Sequence, residues 1–195
     1  MRILVTRAFA LVVLAILLFT ASRWETREPM VSAALFCTGM VLAGIGALGR
    51  LWCSVYIAGH KDSRLIQEGP YSLSRNPLYL FSFIGTMGIG FATETMTVPV
   101  VLGVAFLLYY PMVIRREENK LRGYFPDTFP AYCAKVPRFF PRHLGPVEPE
   151  TCAVNPRLFR RHAFSALWFI WIIGILEVIE ELHELGFVPV HFQFY

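Results

Sequence analysis

An all-α, polytopic membrane fold is predicted for this chain by three features of its sequence. Hydrophobic residues make up 55% of the 195 residues and charged ones only 16%, a balance that suits an integral membrane protein and not a soluble globule. The apolar residues gather into about five runs separated by polar stretches. The Lys and Arg residues beyond position 50 lie in two of those polar stretches, which fall on one side of the runs, and Arg50 ends the second run on that side. The formal charge of +4 is modest. Cations placed between apolar runs read as topology signals and contacts to anionic lipid headgroups, not as a nucleic-acid surface. Cys37, Cys53, Cys133 and Cys152 are scattered, with no CxxC or Cys/His spacing, so neither a disulfide framework nor a zinc site is supported.

The elements follow in order. Residues 3–21 form a first helix; this run is long for a signal-peptide core and further spans follow, so it reads as retained. Residues 30–51 form the second, 77–92 a shorter third, 98–114 the fourth after the turn "TETMT", and 163–180 the fifth. At ~1.5 Å per residue most of these cross a hydrocarbon core of ~30 Å. The third crosses only if it starts below the headgroups or the bilayer thins around it. With a cytosolic N-terminus, the cations of residues 50–76 and 115–161 share the cytosolic face, and Arg23 and Arg27 fall opposite with the C-terminal tail. The chain reads as one membrane domain: N-terminal helices in 1–59, a core in 60–142, and in 143–195 a proline-rich linker and an extra helix that looks appended.

"GIGALG", residues 44–49, satisfies GxGxxG. It lies inside one apolar span and lacks the strand-turn-helix setting of a dinucleotide site. Gly39, Ala43, Gly44 and Ala47 instead suggest close helix packing.

Two polar clusters carry more information. In the first, Gly69-Pro70 makes a turn and Pro77 suits the first helical position. Asn76 is then the expected N-cap, and Arg75 adds a planar cationic fork. A helix N-terminus with Arg75 beside it favours an anion such as a carboxylate; the plainer reading is a well-capped membrane helix with an Arg anchor. The second cluster, "VIRREENKLRGYF", continues the fourth helix past the membrane. Its periodicity turns Glu117 toward the apolar side, where a carboxylate needs a cationic partner, and lets Glu118 pair with Arg115 or Arg122; the plainer reading is a solvated charge run. Phe125, Phe129, Tyr132, Phe139 and Phe140 follow and are expected to pack as a lid, with 136–142 extended.

Together the two clusters resemble the isoprenylcysteine carboxyl methyltransferase family and its phospholipid methyltransferase relatives. The family pattern runs G-x-Y, then R-H-P-x-Y opening a helix, then E-E-x-x-L, F-G-x-x-Y-x-x-Y and R-x-x-P. Here it reads Gly69-Pro70-Tyr71, Arg75-Asn76-Pro77-Leu78-Tyr79, Glu117-Glu118 with Leu121, Phe125-Pro126 with Phe129 and Tyr132, and Arg138 with Pro141. The resemblance covers roughly residues 60–142 and implies a membrane methyltransferase that uses S-adenosyl-L-methionine. It further implies cofactor contacts at Ser63, Arg64, Leu65, Ile66, Tyr71, Arg75, Asn76, Pro77, Leu78 and Glu117, and a lipophilic acceptor entering from the bilayer. Catalytic residues are not assigned. Three departures stand out. Asn76 replaces the family's His, Pro126 and Phe129 replace its Gly and Tyr, and Val113 stands where the prenylcysteine enzymes carry a substrate-binding Arg. Two rivals are a nicotinamide-dependent reductase of the sterol-reductase type, disfavoured by the short chain and the Glu117-Glu118 pair, and a non-catalytic membrane protein that keeps the motif as helix capping.

Overall fold

The computed structural model of the chain describes residues 18–58 and 64–195. The first expected helix lies almost wholly outside those residues, as do His60, Lys61 and Ser63. The described elements are β1 (Thr20–Ser22), α1 (Trp24–Arg27), α2 (Pro29–Ile57), α3 (Pro70–Leu73), α4 (Pro77–Phe91), α5 (Thr97–Tyr124), α6 (Phe129–Lys135), α7 (Pro156–Glu184) and β2 (Phe192–Phe194). Three of them, α2, α5 and α7, are long and apolar enough to cross a membrane. Helix α4 is apolar but has only 15 residues, about 22 Å at ~1.5 Å each, the shortness its sequence predicts.

Helices α2 and α4 run antiparallel with their backbones in close approach. Gly39 faces Ala92, Ala43 faces Gly88, Gly46 faces Gly85 and Gly49 faces the Phe81 ring, one number rising as the other falls. Lipid offers no hydrophobic drive between helices, so such contact rests on van der Waals packing that only small residues permit. The packing reading of the glycine motif therefore stands, with one correction: among the described residues nothing lies within 4 Å of a Cβ at Gly44, and Gly46 and Gly49 make the contact.

The last helix is not an appendage. On α7, Ile173 and Leu176 join Ala43 of α2 and Val98 and Leu102 of α5 in one buried cluster, and the Phe169 ring lies over Gly85. It also starts earlier than the apolar run suggests, because Asn155 caps it. The Asn155 side-chain oxygen accepts from the backbone N–H of Arg157 (3.1 Å) and Leu158 (3.2 Å), and Pro156 takes the first helical position.

The proline-rich stretch before α7 is likewise docked and not a free linker. Gly69 N–H donates to the Val147 carbonyl (2.7 Å), Val147 N–H donates to Ser72 Oγ (2.9 Å), and Asn155 N–H donates to the Ala58 carbonyl (3.3 Å). Gly69 takes φ +57°, and a side chain there would enter the Tyr56 ring, so glycine is required at this turn.

At the opposite end of the bundle, β2 pairs in parallel with β1. The Tyr195 carbonyl accepts from the N–H groups of Met96 (2.8 Å) and Thr97 (2.9 Å), which closes the start of α5.

Candidate functional site

Both polar clusters lie at one end of the bundle, where α4 starts and α5 runs on past its apolar part. Helix α5 continues to Tyr124, as the sequence suggests, and carries Glu117 and Glu118 to this end. Glu118 is the joint. Its Oε2 receives Arg138 Nη2 at 2.6 Å, its Oε1 lies 3.6 Å from Arg75 Nη1, and the same oxygen accepts from Asn76 Nδ2 at 3.2 Å. The 136–142 segment, which bends at residues 138–140 where an extended run was expected, is strapped alongside: Arg75 N–H donates to the Pro137 carbonyl (2.9 Å), and Asn76 Nδ2 donates to the Arg138 carbonyl (3.0 Å). One carboxylate thus ties together three stretches far apart in sequence.

This corrects two expectations. Glu118 pairs with Arg75 and Arg138, not with Arg115 or Arg122. Asn76 occupies the N-cap position of α4, but its side chain makes no cap hydrogen bond. The chain contains its own control, since Asn155-Pro156 and Asn76-Pro77 open two helices with the same dipeptide. Asn155 is extended at φ −83°, ψ 110° and caps. Asn76, at φ −130°, ψ 51°, gives its amide to Glu118 and Arg138 instead. Pro77 has no N–H, and the N–H groups of Tyr79 and Leu80 donate to the Asn76 carbonyl (3.1 and 3.2 Å), so among the described residues the Leu78 N–H is left in the first turn for an anion drawn to the positive end of the helix. Arg75 Nε and Arg138 Nε are also buried, with no hydrogen-bond partner among the described residues.

The other expected site residues fall as follows. Ser63 lies outside the described residues. Arg64 is exposed and paired with Glu68; Leu65 and Ile66 are half-buried in the stretch leading to the Gly69 turn. Pro77 is buried and Leu78 half-buried in the first turn of α4. Glu117 is exposed, which corrects the expectation that it faces the apolar side; it remains within electrostatic reach of the Tyr71 phenol. Burial holds that phenol well above its ordinary pKa.

The aromatic segment packs in part as expected. Phe129 and Tyr132 are buried, and the Phe139 ring lies 6.5 Å from Phe83, whereas Phe140 is exposed. Burial raises the Tyr132 pKa, which keeps its hydroxyl a neutral donor, and it donates to the Tyr71 carbonyl at 2.7 Å. Tyr132→Phe should cost about 1–2 kcal/mol, because it removes one buried hydrogen bond and leaves a carbonyl unpaired; a thermal melt checks this.

Sequence reasoning missed the aromatic wall below the site. Tyr79 and Tyr110 sit 5.3 Å apart, Phe106 and Tyr110 stack at 3.7 Å, and Phe83 meets Phe106 at 4.9 Å. The signal was present as aromatic residues four apart on each helix, Tyr79 with Phe83 and Phe106 with Tyr110.

A cavity of about 210 Å³ lies at the far end of the bundle, lined by Thr93, Thr95, Ile179, Glu180 and His183 among others. None of the motif residues borders it, and His183 Nε2 there is hydrogen-bonded to the Leu18 carbonyl (2.8 Å). Among the described residues, no group of three or more His, Cys, Asp or Glu is placed to hold a metal ion.

Fold and site together define a helical protein with three spans long and apolar enough to cross a membrane and a polar, arginine-rich cluster at one end of the bundle. The phospholipid methyltransferase family matches residues 28–128, and the chain belongs to that family. It is 40% identical over 185 residues to the cobalt-zinc-cadmium resistance protein CzcN of Cupriavidus metallidurans, covering 95% of this chain and 84% of that one. It is 39% identical over 169 residues to the nickel-cobalt-cadmium resistance protein NccN of Alcaligenes xylosoxydans xylosoxydans, covering 87% and 78%. No solved structure matches the chain with significance.

Proposed function

We propose that the chain is an integral membrane methyltransferase that uses S-adenosyl-L-methionine and acts on a lipophilic acceptor at the cytosolic face. The observation that carries this reading is the Glu118 joint. It holds Arg75, Asn76 and Arg138 together while leaving the α4 N-terminus uncapped. The family match supports the same chemistry.

The residues present fit the cofactor. Its carboxylate suits the Leu78 N–H at the positive end of α4 and the Nε groups of Arg75 and Arg138, which have no partner among the described residues. Its ammonium suits Glu117, since Glu118 is already engaged by two guanidiniums. The faces of Tyr71, Tyr79 and Tyr110 suit an adenine or a sulfonium. When bound, the cofactor supplies an activated methyl group. The chain's own residues bind, orient and exclude water, so alignment carries much of the rate. The relatives' names concern resistance to divalent metals; methylation of a membrane amphiphile is the activity we assign to the shared architecture.

Calorimetry of the purified chain with S-adenosylhomocysteine and with NADPH tests the reading. Binding of the first alone is expected. Binding of NADPH alone would favour a reductase, and binding of neither would remove both enzyme readings. In the same assay Glu117→Gln should weaken S-adenosylhomocysteine about tenfold or more without shifting the melting temperature, because its side chain is exposed. Unchanged affinity would show that the ammonium is held elsewhere.

A further inference from the structure

Arg50 lies within α2, inside the apolar part of the bundle. Three helices converge on its guanidinium. Nη1 donates to Ser82 Oγ of α4, Nη2 donates to Ser165 Oγ of α7 at 3.2 Å, and the group stands 5.8 Å from the Phe169 ring centroid. Ser82 Oγ donates its own hydrogen bond to the Leu78 carbonyl (2.6 Å), so it meets Arg50 as an acceptor. These partners are neutral. No carboxylate among the described residues pairs with Arg50, and its Nε is buried with no hydrogen-bond partner.

The contrast with the nearby rim is informative. There Arg75 and Arg138 share one carboxylate, Glu118, whereas Arg50 has no carboxylate partner among the described residues and stands in an apolar setting. A guanidinium without a counter-charge is expensive to bury, and an ionisable group inside a membrane bundle marks a functional site by default. Two further facts give the charge a direction. Ser82, which accepts from its Nη1, stands one turn after Leu78 in α4, so Arg50 lies against the helix that the candidate cofactor segment opens, within electrostatic reach of Tyr71 and Tyr79. Ser165, its partner on α7, is exposed, and on a helix that crosses a membrane this surface meets lipid.

We infer that Arg50 is the anchor for the anionic oxygen group, carboxylate or phosphodiester, of an amphiphilic acceptor that enters from the bilayer beside Ser165. Bound there, the acceptor's headgroup would sit against Tyr79 and the opening of α4, with its chain left in lipid. The inference rests on the proposed function for its use in catalysis, but the binding event needs no cofactor.

The test uses the full chain in dodecyl maltoside micelles and bromine quenching of tryptophan fluorescence; Trp52 lies two residues from Arg50. The probes are 9,10-dibromostearate, a dibrominated phosphatidylglycerol and the uncharged 9,10-dibromostearyl alcohol. The wild type should bind at least one acidic probe about tenfold more tightly than the alcohol, and Arg50→Gln should erase that preference. A wild type that does not discriminate, or a preference that persists in Arg50→Gln, overturns the inference. If Arg50→Gln does not fold, Arg50→Lys decides. It keeps the charge and loses the planar fork, so the acidic probe should bind several-fold more weakly and the alcohol equally; unchanged binding of both overturns the inference. S-adenosylhomocysteine affinity measured on the same preparations separates the two ideas, since retained cofactor binding without acid preference removes the anchor alone.

Discussion

Glu118→Ala should be the most damaging single polar substitution in the chain. The side chain of Glu118 is only 12% exposed and that of Arg75 16%, whereas Arg138 is 41% exposed. Removing the carboxylate leaves two guanidiniums, and they respond differently. Arg138 can turn into water, so its loss is small. Arg75 cannot, and a buried charge deprived of its partner costs about 3–5 kcal/mol. The Asn76 amide loses one of its two acceptors as well. We expect a loss of about 3 kcal/mol, near the low end of that range, which corresponds to a fall of about 6–12 °C in melting temperature for a chain of this size. S-adenosylhomocysteine binding should fall with it, since the rim of α4 is no longer held. Glu118→Gln keeps an acceptor for Asn76 and should lose less. A double-mutant cycle between Glu118→Gln and Arg75→Gln isolates the pair and should return a coupling above about 1 kcal/mol. A melt of Glu118→Ala within about 2 °C of wild type would mean the joint contributes less than about 1 kcal/mol and does not organise the site.

The way this joint escaped a reading of the sequence is instructive. Apolar runs and proline positions report on neighbours within a few residues. That is why α2, α4, α5 and α7, the first-position Pro77 and the extension of α5 beyond its apolar part were all legible. The fate of the Asn76 side chain is settled elsewhere, by Glu118 and by the Arg138 carbonyl, 42 and 62 residues away. Local preference ranks Asn as a cap equally well before Pro77 and before Pro156, and only the second caps. Glu117 and Glu118 pose the same difficulty. Adjacent helical residues point about 100° apart, and which of them meets Arg75 depends on the roll of α5 against the start of α4. The docking of residues 141–155 across Gly69 and Ser72 is likewise carried by backbone pairing that composition does not signal.

The second large effect is expected at Gly46→Leu, and its control lies two residues away at Gly44→Leu. Both glycines belong to "GIGALG" and both are helical, so they share the same intrinsic propensity, and replacing either by Leu gains a little of it. Their surroundings differ. A Cβ at Gly46 would lie 2.5 Å from Gly85 Cα, 2.6 Å from Gly85 N and 2.9 Å from the Phe81 carbonyl oxygen, all backbone atoms that no rotamer change can clear. At Gly44 nothing among the described residues lies within 4 Å. To admit Leu at Gly46, α2 and α4 must move apart, and the neighbouring contacts at Gly39, Ala43 and Gly49 loosen together. Overpacking of this kind costs about 1–3 kcal/mol where side chains can adjust, and about 3 kcal/mol or more is expected here because the obstruction is backbone. The shift would reach the site, since α4 carries Tyr79 and Pro77 at its start and Ser82 beside Arg50. Gly46→Leu should therefore melt well below wild type or fail to purify as a monodisperse species, while Gly44→Leu melts near wild type. If both variants behave alike, the glycine seam is not what sets the distance between α2 and α4, and the position of the α4 N-terminus must be held by the Glu118 joint alone.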